Sequence, residues 1–389
     1  MPGASIEYPA TSLPAVATVD WWPLAFRLRA DREDVIRWFR HHLYSVSTPS
    51  PGDRPGRNTP LTAVVDAELA GSTYRAVHDG PVRRVDGYLG DVWLVGQLNG
   101  DQVWCGPASG PDAADRLVIV SNDLDGHTVI GADSGSVAAG CVRLARELLR
   151  MELARRGSLT VHASMAARRG RGGLLFIGGT GAGKTTLALT VARAGGYLVS
   201  IDQTEVLHVG ASTHGVGFPW PARLGVGMLA GMGLDRAVET MPLLRPQKPI
   251  HDGRITTESR NFRSLNKIEL SMLELDTVLG VLTLDRAPIH GVVLIETAPA
   301  GTPMRVESTT VEDAEADLLR EFREPDPVFT SFWMTPPGQP PPPTGSFGDL
   351  CAGFRRLRLV RLTWRADQHS AAMALRDIDA VLDSEGGSR

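Results

Sequence analysis

A chain of 389 residues, 42% of them hydrophobic, is long enough for two domains or one elaborated domain around a real core. A formal net charge of -4 argues against a general nucleic-acid binder, while leaving room for a local basic groove. Cys105, Cys141 and Cys351 make no C-x-x-C pair and no metal-ligand cluster, so ordinary buried thiols are expected.

No stretch reaches about 18 uninterrupted apolar residues, and no basic segment leads into an apolar core at the N-terminus. A cytoplasmic protein with no membrane partner is the expectation. Residues 1–20 are rich in Pro, Ala and Ser and are expected to be partly disordered. Apolar residues at Val35, Ile36, Phe39, Leu43 and Tyr44 predict an amphipathic helix over Glu33–Tyr44. Ser47–Pro60 reads as a loop or linker. Strands are expected near Leu61–Val65, Thr73–Val77, Asp91–Leu98 and Leu117–Val120. The helical spacing of Val137, Cys141, Leu144, Leu148 and Met151 predicts a helix over Ser136–Arg155, with Gly157 as its stop.

Beyond that helix, Ser158–Met165 reads as a strand carrying His162. Gly172–Ile177 reads as a second strand, Thr185–Ala194 as a helix, and Tyr197–Ile201 as a strand with Asp202 at its end. Phe218–Gly233, rich in Gly, Pro and Met, suggests an active-site loop. A short helix over Lys267–Leu275, strands at Val278–Leu284 and Gly291–Glu296, and a helix over Thr310–Arg323 follow. Pro336–Pro343 is a Pro-rich extended loop. A basic strand at Phe354–Leu362 and a helix at Ser370–Leu382 complete the chain. The Arg355-Arg356-x-Arg358 alternation fits the exposed face of an edge strand. The expected fold class is α/β: a P-loop nucleotide-binding domain over 157–389, ending in a strand-helix extension, with a smaller N-terminal α+β domain over 21–156.

Gly178-Gly179-Thr180-Gly181-Ala182-Gly183-Lys184-Thr185 matches the whole G-x-x-x-x-G-K-T pattern, and an apolar strand precedes it while a helix-forming run, beginning at Thr186, follows. Small residues let backbone N–H groups turn toward phosphate oxygens, and the helix start adds donors and a favourable dipole. Lys184 can reach terminal phosphates, and Thr185 can hold a magnesium ion bridging them. A nucleotide with Mg2+ is therefore the expected ligand. Asp202 suits a metal contact or acceptance of a hydroxyl proton. Glu205, three residues on, is a further carboxylate candidate. His162 can orient a carboxylate or share its proton.

Taken in order, His162-Ala163-Ser164, the loop Gly178–Thr185, the helix Leu187–Ala194, the Gly195-Gly196 turn and the strand Leu198–Asp202 resemble the catalytic domain of bacterial HPr kinase/phosphorylase and its shorter divergent relatives. The close match covers about 45 residues, and the looser layout extends over 136–385. The resemblance favours ATP as the nucleotide and implies a kinase-type site in which His162 and Asp202 support deprotonation of an accepting hydroxyl, with Asp202 also at the metal. Where the family has two adjacent aspartates, this chain has Ile201-Asp202. The longer glycine-rich signature of true HPr kinases has no clear counterpart, so HPr itself is not the expected acceptor. HPr kinases are typically hexameric, which makes a homo-oligomer one expectation.

An ATP-dependent kinase acting on a hydroxyl of a small molecule or peptide, in a biosynthetic setting, is the leading expectation. A P-loop ATPase that assists a partner enzyme or activates a carboxylate, and a non-catalytic nucleotide sensor, are the alternatives. Asn266-Lys267-Ile268-Glu269 superficially resembles a guanine-reading motif, but helical spacing explains it equally well. Acceptor recognition is expected in Thr213–Gly233, His251–Lys267 and Phe329–Phe347, with Phe218, Trp220, Phe332 and Trp333 lining an apolar recess. Glu258, Arg260, Arg263 and Lys267 form a mixed-charge region able to meet phosphate or substrate.

Overall fold

In β1 (Ala15–Trp21) and β2 (Leu24–Ala30) buried side chains recur at every second position, and the two strands pair antiparallel with Trp21 opposite Leu24. They open a mixed α/β structure with several sheets. The computed structural model describes residues 13–46, 57–86, 92–106, 117–122, 126–210, 212–244, 266–299, 301–322, 332–335, 340, 342–343, 345–365 and 368–384. The described residues fall into two compact units. One takes those within Met1–Leu43, Pro49–Glu152 and Pro325–Pro342, and the other takes the rest.

The first unit continues with α1 (Glu33–His42), β3 (Arg57–Val65), α2 (Ala67–His78), β4 (Arg83–Asp86), β5 (Val92–Leu98), β6 (Asp101–Gly106), β7 (Leu117–Asn122), β8 (Gly126–Gly131) and most of α3 (Ser134–Arg155). Its sheet has eight strands in the order β1-β2-β3-β8-β7-β6-β5-β4. β3 is parallel to both β2 and β8, and the other pairs are antiparallel. Val64, Ala70, Val77, Val103, Val118 and Ile130 form a core between sheet and α2.

Of the stretch 1–20 expected to be partly disordered, 15–20 form β1, and 1–12 lie outside the described residues. Two further expectations fail here. Thr73–Val77 is helical, because Asp66 caps the Leu69 N–H at 2.9 Å and Ala70, Thr73 and Val77 then fall on one buried face. The strand at Leu61–Val65 begins at Arg57, so 57–60 is not linker; 47–56 lie outside the described residues. Phe332 and Trp333 also belong to this unit as packing residues. Trp333 stacks on Trp93 at 4.7 Å and accepts from the Trp104 indole at 3.0 Å, while the Arg150 guanidinium lies over Phe332.

The second unit contains β9 (Leu159–Val161), β10 (Ala163–Arg168), β11 (Gly172–Ile177), α4 (Lys184–Arg193), β12 (Tyr197–Ser200), β13 (Thr204–Val209) and β14 (Ser212–Gly217). β15 (Ala222–Gly225), α5 (Val226–Gly231), α6 (Asp235–Thr240), β16 (Lys267–Leu270) and α7 (Met272–Leu279) follow. β17 (Arg286–Thr297), β18 (Arg305–Thr309), α8 (Val311–Glu321), α9 (Phe347–Phe354), β19 (Arg358–Trp364) and α10 (Gln368–Ser384) complete it. Its sheet runs β12-β10-β11-β17-β14-β13-β9, with β19 on β17 and β18 on β19. β17 is parallel to both β11 and β19. Its buried core includes Met165, Leu175, Val199, Val292, Leu318 and Phe354.

Several local expectations are corrected in this unit. The strand expected over Ser158–Met165 breaks at His162: β9 pairs with β13, whereas β10 pairs with β11 and β12. Lys267–Leu270 is a strand, and the helix starts only at Met272, where Ser271 and Glu274 form a reciprocal capping box. Val278 and Leu279 end that helix, and of the expected strand to Leu284 only a bridge between Thr283 and Leu198 is present. Phe218–Gly233 contains β15 and α5, with Phe218, Leu224 and Leu229 buried. Phe354 closes α9, and β19 lies between β17 and β18, so Arg358 is not on an edge strand. Most of Pro336–Pro343 lies outside the described residues.

Candidate functional site

The antiparallel register of β10 and β11 sets Ala163 opposite Ile177. His162, one residue before Ala163, and Gly178, one residue after Ile177, therefore come to the same end of the sheet. β12 lies antiparallel on the other side of β10, with Ser200 opposite Met165, and the chain past Ser200 runs toward that end as well. β10 thus separates β11 from β12; the two carboxyl ends meet across an intervening antiparallel strand, not side by side.

From Ile177 the chain enters the glycine-rich loop. A Cβ on Gly178 would stand 2.7 Å from the Ile295 carbonyl oxygen, so only glycine lets the loop leave the sheet this close to β17. Gly183 turns the chain into α4 with φ 99°, a left-handed conformation. Gly179, Thr180 and Gly181 are exposed, and Ala182 is buried. The Trp364 indole donates to the Ala182 carbonyl at 2.9 Å. Lys184 is buried, and its ammonium donates to the Gly178 and Gly179 carbonyls, the latter at 3.1 Å. Thr185 is half-buried in the first turn of α4. Thr186 is buried, and its carbonyl accepts from the Thr190 hydroxyl at 2.7 Å. The opening turn of α4 leaves backbone N–H groups without intrahelical acceptors, and they point with the helix dipole toward the loop mouth.

His162 and Asp202 come together. His162 Nε2 is 3.0 Å from Asp202 Oδ1, and the Asp202 side chain is 77% exposed. Asp202 has φ 67°, a conformation tolerated by Asp better than by most residues, and its N–H donates to the Ser164 hydroxyl at 3.4 Å. The other ring nitrogen, Nδ1, is 2.7 Å from Oε2 of Glu321, the last residue of α8. Main chain reinforces that contact: His162 N–H donates to the Glu321 carbonyl at 2.9 Å, and Val161 bridges Phe322.

Glu205, the weaker carboxylate candidate, is buried away from this arrangement. It accepts from the Ser158 hydroxyl at 2.7 Å and the Thr160 hydroxyl at 2.5 Å, which satisfies it structurally. Glu321 and Glu296 are the residues that sequence reasoning missed. Glu296 does carry a signal, since it ends the apolar run Val292–Ile295 on the parallel neighbour of β11.

A cavity of about 380 Å³ lies beside the loop and reaches Glu321. Gly178, Gly179 and Ala182 form its loop side, Glu296 and Thr297 come from β17, Asp317, Arg320 and Glu321 from α8, and Arg361 from β19. Arg361 bonds both Glu296 and Asp317, the latter at 2.8 Å. Partial burial opposes the Arg361 charge, but the Asp317 hydrogen bond and the attraction of both carboxylates outweigh it and raise its pKa.

The remaining sequence candidates stand elsewhere or outside the description. Arg260, Arg263 and Glu258 lie outside the described residues, and Lys267 is exposed on β16. Arg355 pairs with Glu312 at 2.8 Å. Phe218 and Trp220 lie with ring centres 6.3 Å apart in the second unit, whereas Phe332 and Trp333 pack within the first. The three cysteines are buried thiols, as expected. Among the described residues, no group of three His, Cys, Asp or Glu side chains is arranged to hold a metal, and no helix is long and apolar enough to cross a membrane.

No family model and no curated protein matches this chain. Among solved structures, the HPr(Ser) kinase/phosphatase from Coxiella burnetii is similar over 58% of this chain and 98% of that one, at 10% identity and a TM-score of 0.27. That is a weak structural resemblance, and the chemistry of this chain rests on its own residues.

Proposed function

We propose that the protein is an ATP-dependent phosphotransferase that moves the γ-phosphate to a hydroxyl of a small molecule or peptide. The observation that carries this reading is the convergence, at one sheet end, of a glycine-rich strand-to-helix loop bearing Lys184 with the His162–Asp202 pair. The loop fits a polyphosphate: a Cβ at Gly179 or Gly181 would meet nothing within 4 Å, so the backbone there is open to a ligand. The first-turn N–H groups of α4 and the Lys184 ammonium would bind phosphate oxygens. Thr185 and Asp202 would hold magnesium. When bound, MgATP supplies the transferable phosphoryl group and the metal charge that neutralises it.

The chain's own part is to bind, orient and take a proton. Asp202 is an exposed carboxylate, and His162 Nε2 faces it, so together they offer a proton acceptor to an incoming hydroxyl. The cavity bounded by Gly178, Gly179 and α8, which Glu321 also lines, would give an acceptor a place beside the loop. The products are the phosphorylated acceptor and ADP, with the hydroxyl proton left on the Asp202–His162 pair.

The test incubates the protein with γ-labelled ATP and native metabolite and peptide fractions, and mass spectrometry identifies any labelled acceptor. Lys184→Ala is the control and should lower transfer by about 10²-fold or more, as loss of a charge-stabilising donor does. ATP consumption with no Lys184-dependent phosphorylated product would replace the kinase reading with a partner-dependent ATPase. Nucleotide binding without turnover would replace it with a sensor.

A further inference from the structure

Glu321 occupies an unfavourable place for a carboxylate. It is the last residue of α8, where the helix dipole disfavours negative charge, whereas the helix otherwise follows the dipole with Glu312 and Asp313 in its first turn and Arg320 in its last. It is also buried, at 5% exposure. Burial of a carboxylate at a helix C-terminus needs a specific partner, and the partner is the His162 ring.

We propose that Glu321 is the positioning residue of this site: it holds the Nδ1 proton of His162 and so turns the Nε2 edge toward Asp202 and the acceptor. The acceptor side of this statement rests on the phosphotransferase reading; the ring geometry does not. Both ring nitrogens face carboxylates, so the two compete for the imidazole. Glu321 is buried and 2.7 Å away, whereas Asp202 is 3.0 Å away with its side chain 77% exposed. Water screens the Asp202 contact, and the low-dielectric Glu321 contact is the stronger hydrogen bond. The backbone bond from His162 N–H to the Glu321 carbonyl and the Val161–Phe322 bridge fix the end of α8 to the joint between β9 and β10. Ring and carboxylate are therefore held as one unit, and Nδ1 is committed to Glu321. Nε2 remains as the only ring atom able to exchange a proton with Asp202 or a bound hydroxyl. Asp317 and Arg320, on the same helix as Glu321, line the same cavity, so the helix that orients the imidazole also walls the acceptor space.

The test uses the full chain with 15N-labelled histidine, read by long-range proton–nitrogen correlation at one fixed neutral pH. His162→Gln assigns the ring. The expected result is a strongly deshielded Nδ1 proton in the native protein. It should be displaced but retained in Glu321→Gln, whose amide oxygen still accepts, and lost in Glu321→Ala. With γ-labelled ATP and the metabolite and peptide fractions as the probe, Glu321→Ala should lower the rate of transfer by about 10²-fold at saturating MgATP with little change in the KM for MgATP, and Glu321→Gln should recover part of it. A native Nδ1 signal in Glu321→Ala would overturn the proposal. If Glu321→Ala does not fold, an Nδ1 signal in Glu321→Gln identical to the native one would overturn it equally. Absence of Lys184-dependent phosphate transfer to any of the metabolite and peptide fractions by the native protein would remove the phosphotransferase reading, while the Nδ1 signal would still decide the role of Glu321.

Discussion

The Trp364 indole N–H donates to the Ala182 carbonyl at 2.9 Å, joining the end of β19 to the glycine-rich loop. Trp364 is fully buried, so this bond is made in a low-dielectric setting and fixes the loop just before α4 begins. Trp364→Phe keeps an aromatic ring and removes the donor. It should cost about 1–3 kcal/mol, because a buried carbonyl loses its partner and a smaller ring leaves space. The loop should also bind MgATP more weakly, through lost pre-organisation. Urea unfolding and a nucleotide titration on the same variant check both; unchanged affinity would mean that the bond supports the fold alone.

Asp202 makes opposite predictions for stability and activity. Its φ of 67° lies in the left-handed region, where glycine rests without steric cost. Its contact with His162 involves a largely exposed carboxylate and adds little to folding. Asp202→Gly should therefore be neutral or stabilising by up to about 1 kcal/mol, yet turnover should fall sharply. Asp202→Asn should keep the backbone conformation and lose the negative charge, giving the same fall with no change in melting. A loss of activity that tracks a loss of stability in both variants would remove Asp202 from the chemistry.

How much of this was legible in the sequence depended on how far apart the partners lie. The strand, glycine loop and α4 are contiguous, so local chemistry at Gly178, Gly183 and Lys184 was enough to place them. The His162–Asp202 pair was partly legible, since both residues flank that unit. Glu321 was not: it lies 159 positions from His162, and only the sheet register and the placement of α8 bring them together. Some misreadings had signals to correct them. Ser271 and Glu274 spell a capping box that dates the start of α7, and Asp66 marks the start of α2 before the misleading β-branched residues Thr73 and Val77. The division of His162's strand between two sets of partners had no local signal, because pairing is a property of the sheet.

Glu147 gives a pH dependence to the first unit. Burial raises its pKa above the ordinary glutamate value of 4.5, against the pull of Arg150 at 3.3 Å, the Trp333 and Met334 N–H groups and Arg143. A raised folded-state value means that the folded protein holds a proton which the unfolded chain gives up first. The associated stability is complete below 4.5 and is lost as pH rises through the folded-state value. Glu147→Gln cannot ionise. Its stability relative to the native protein should therefore increase as pH rises above 4.5 and then level off. Urea unfolding of both proteins across the acid-to-neutral range measures that difference, and a flat difference would show that Glu147 is not held above its ordinary value.

Arg361 links the fold of the cavity to its charge. Its guanidinium is only 16% exposed and bonds Glu296 from β17 and Asp317 from α8, so it ties a strand and a helix together across the cavity wall. Arg361→Ala leaves two carboxylates facing the space beside Gly178 and Gly179 without that cation. The stability cost should be about 1–3 kcal/mol, less than for a fully buried pair because Glu296 is half exposed to water. A double-mutant cycle with Asp317→Ala should show coupling of about 0.5 kcal/mol or more. The electrostatic effect is separable from the structural one. Removing one positive charge makes the wall more negative, which should weaken the binding of a polyphosphate at the neighbouring loop. Arg361→Ala combined with Glu296→Gln restores the original charge balance, and nucleotide affinity should return toward the native value even though the strand–helix tie stays broken. Added salt should narrow the gap between the single variant and the native protein, since partly exposed charges are screened. If the double variant binds MgATP no better than Arg361→Ala at low salt, the arginine acts by holding β17 to α8 and not through the charge it presents to the loop.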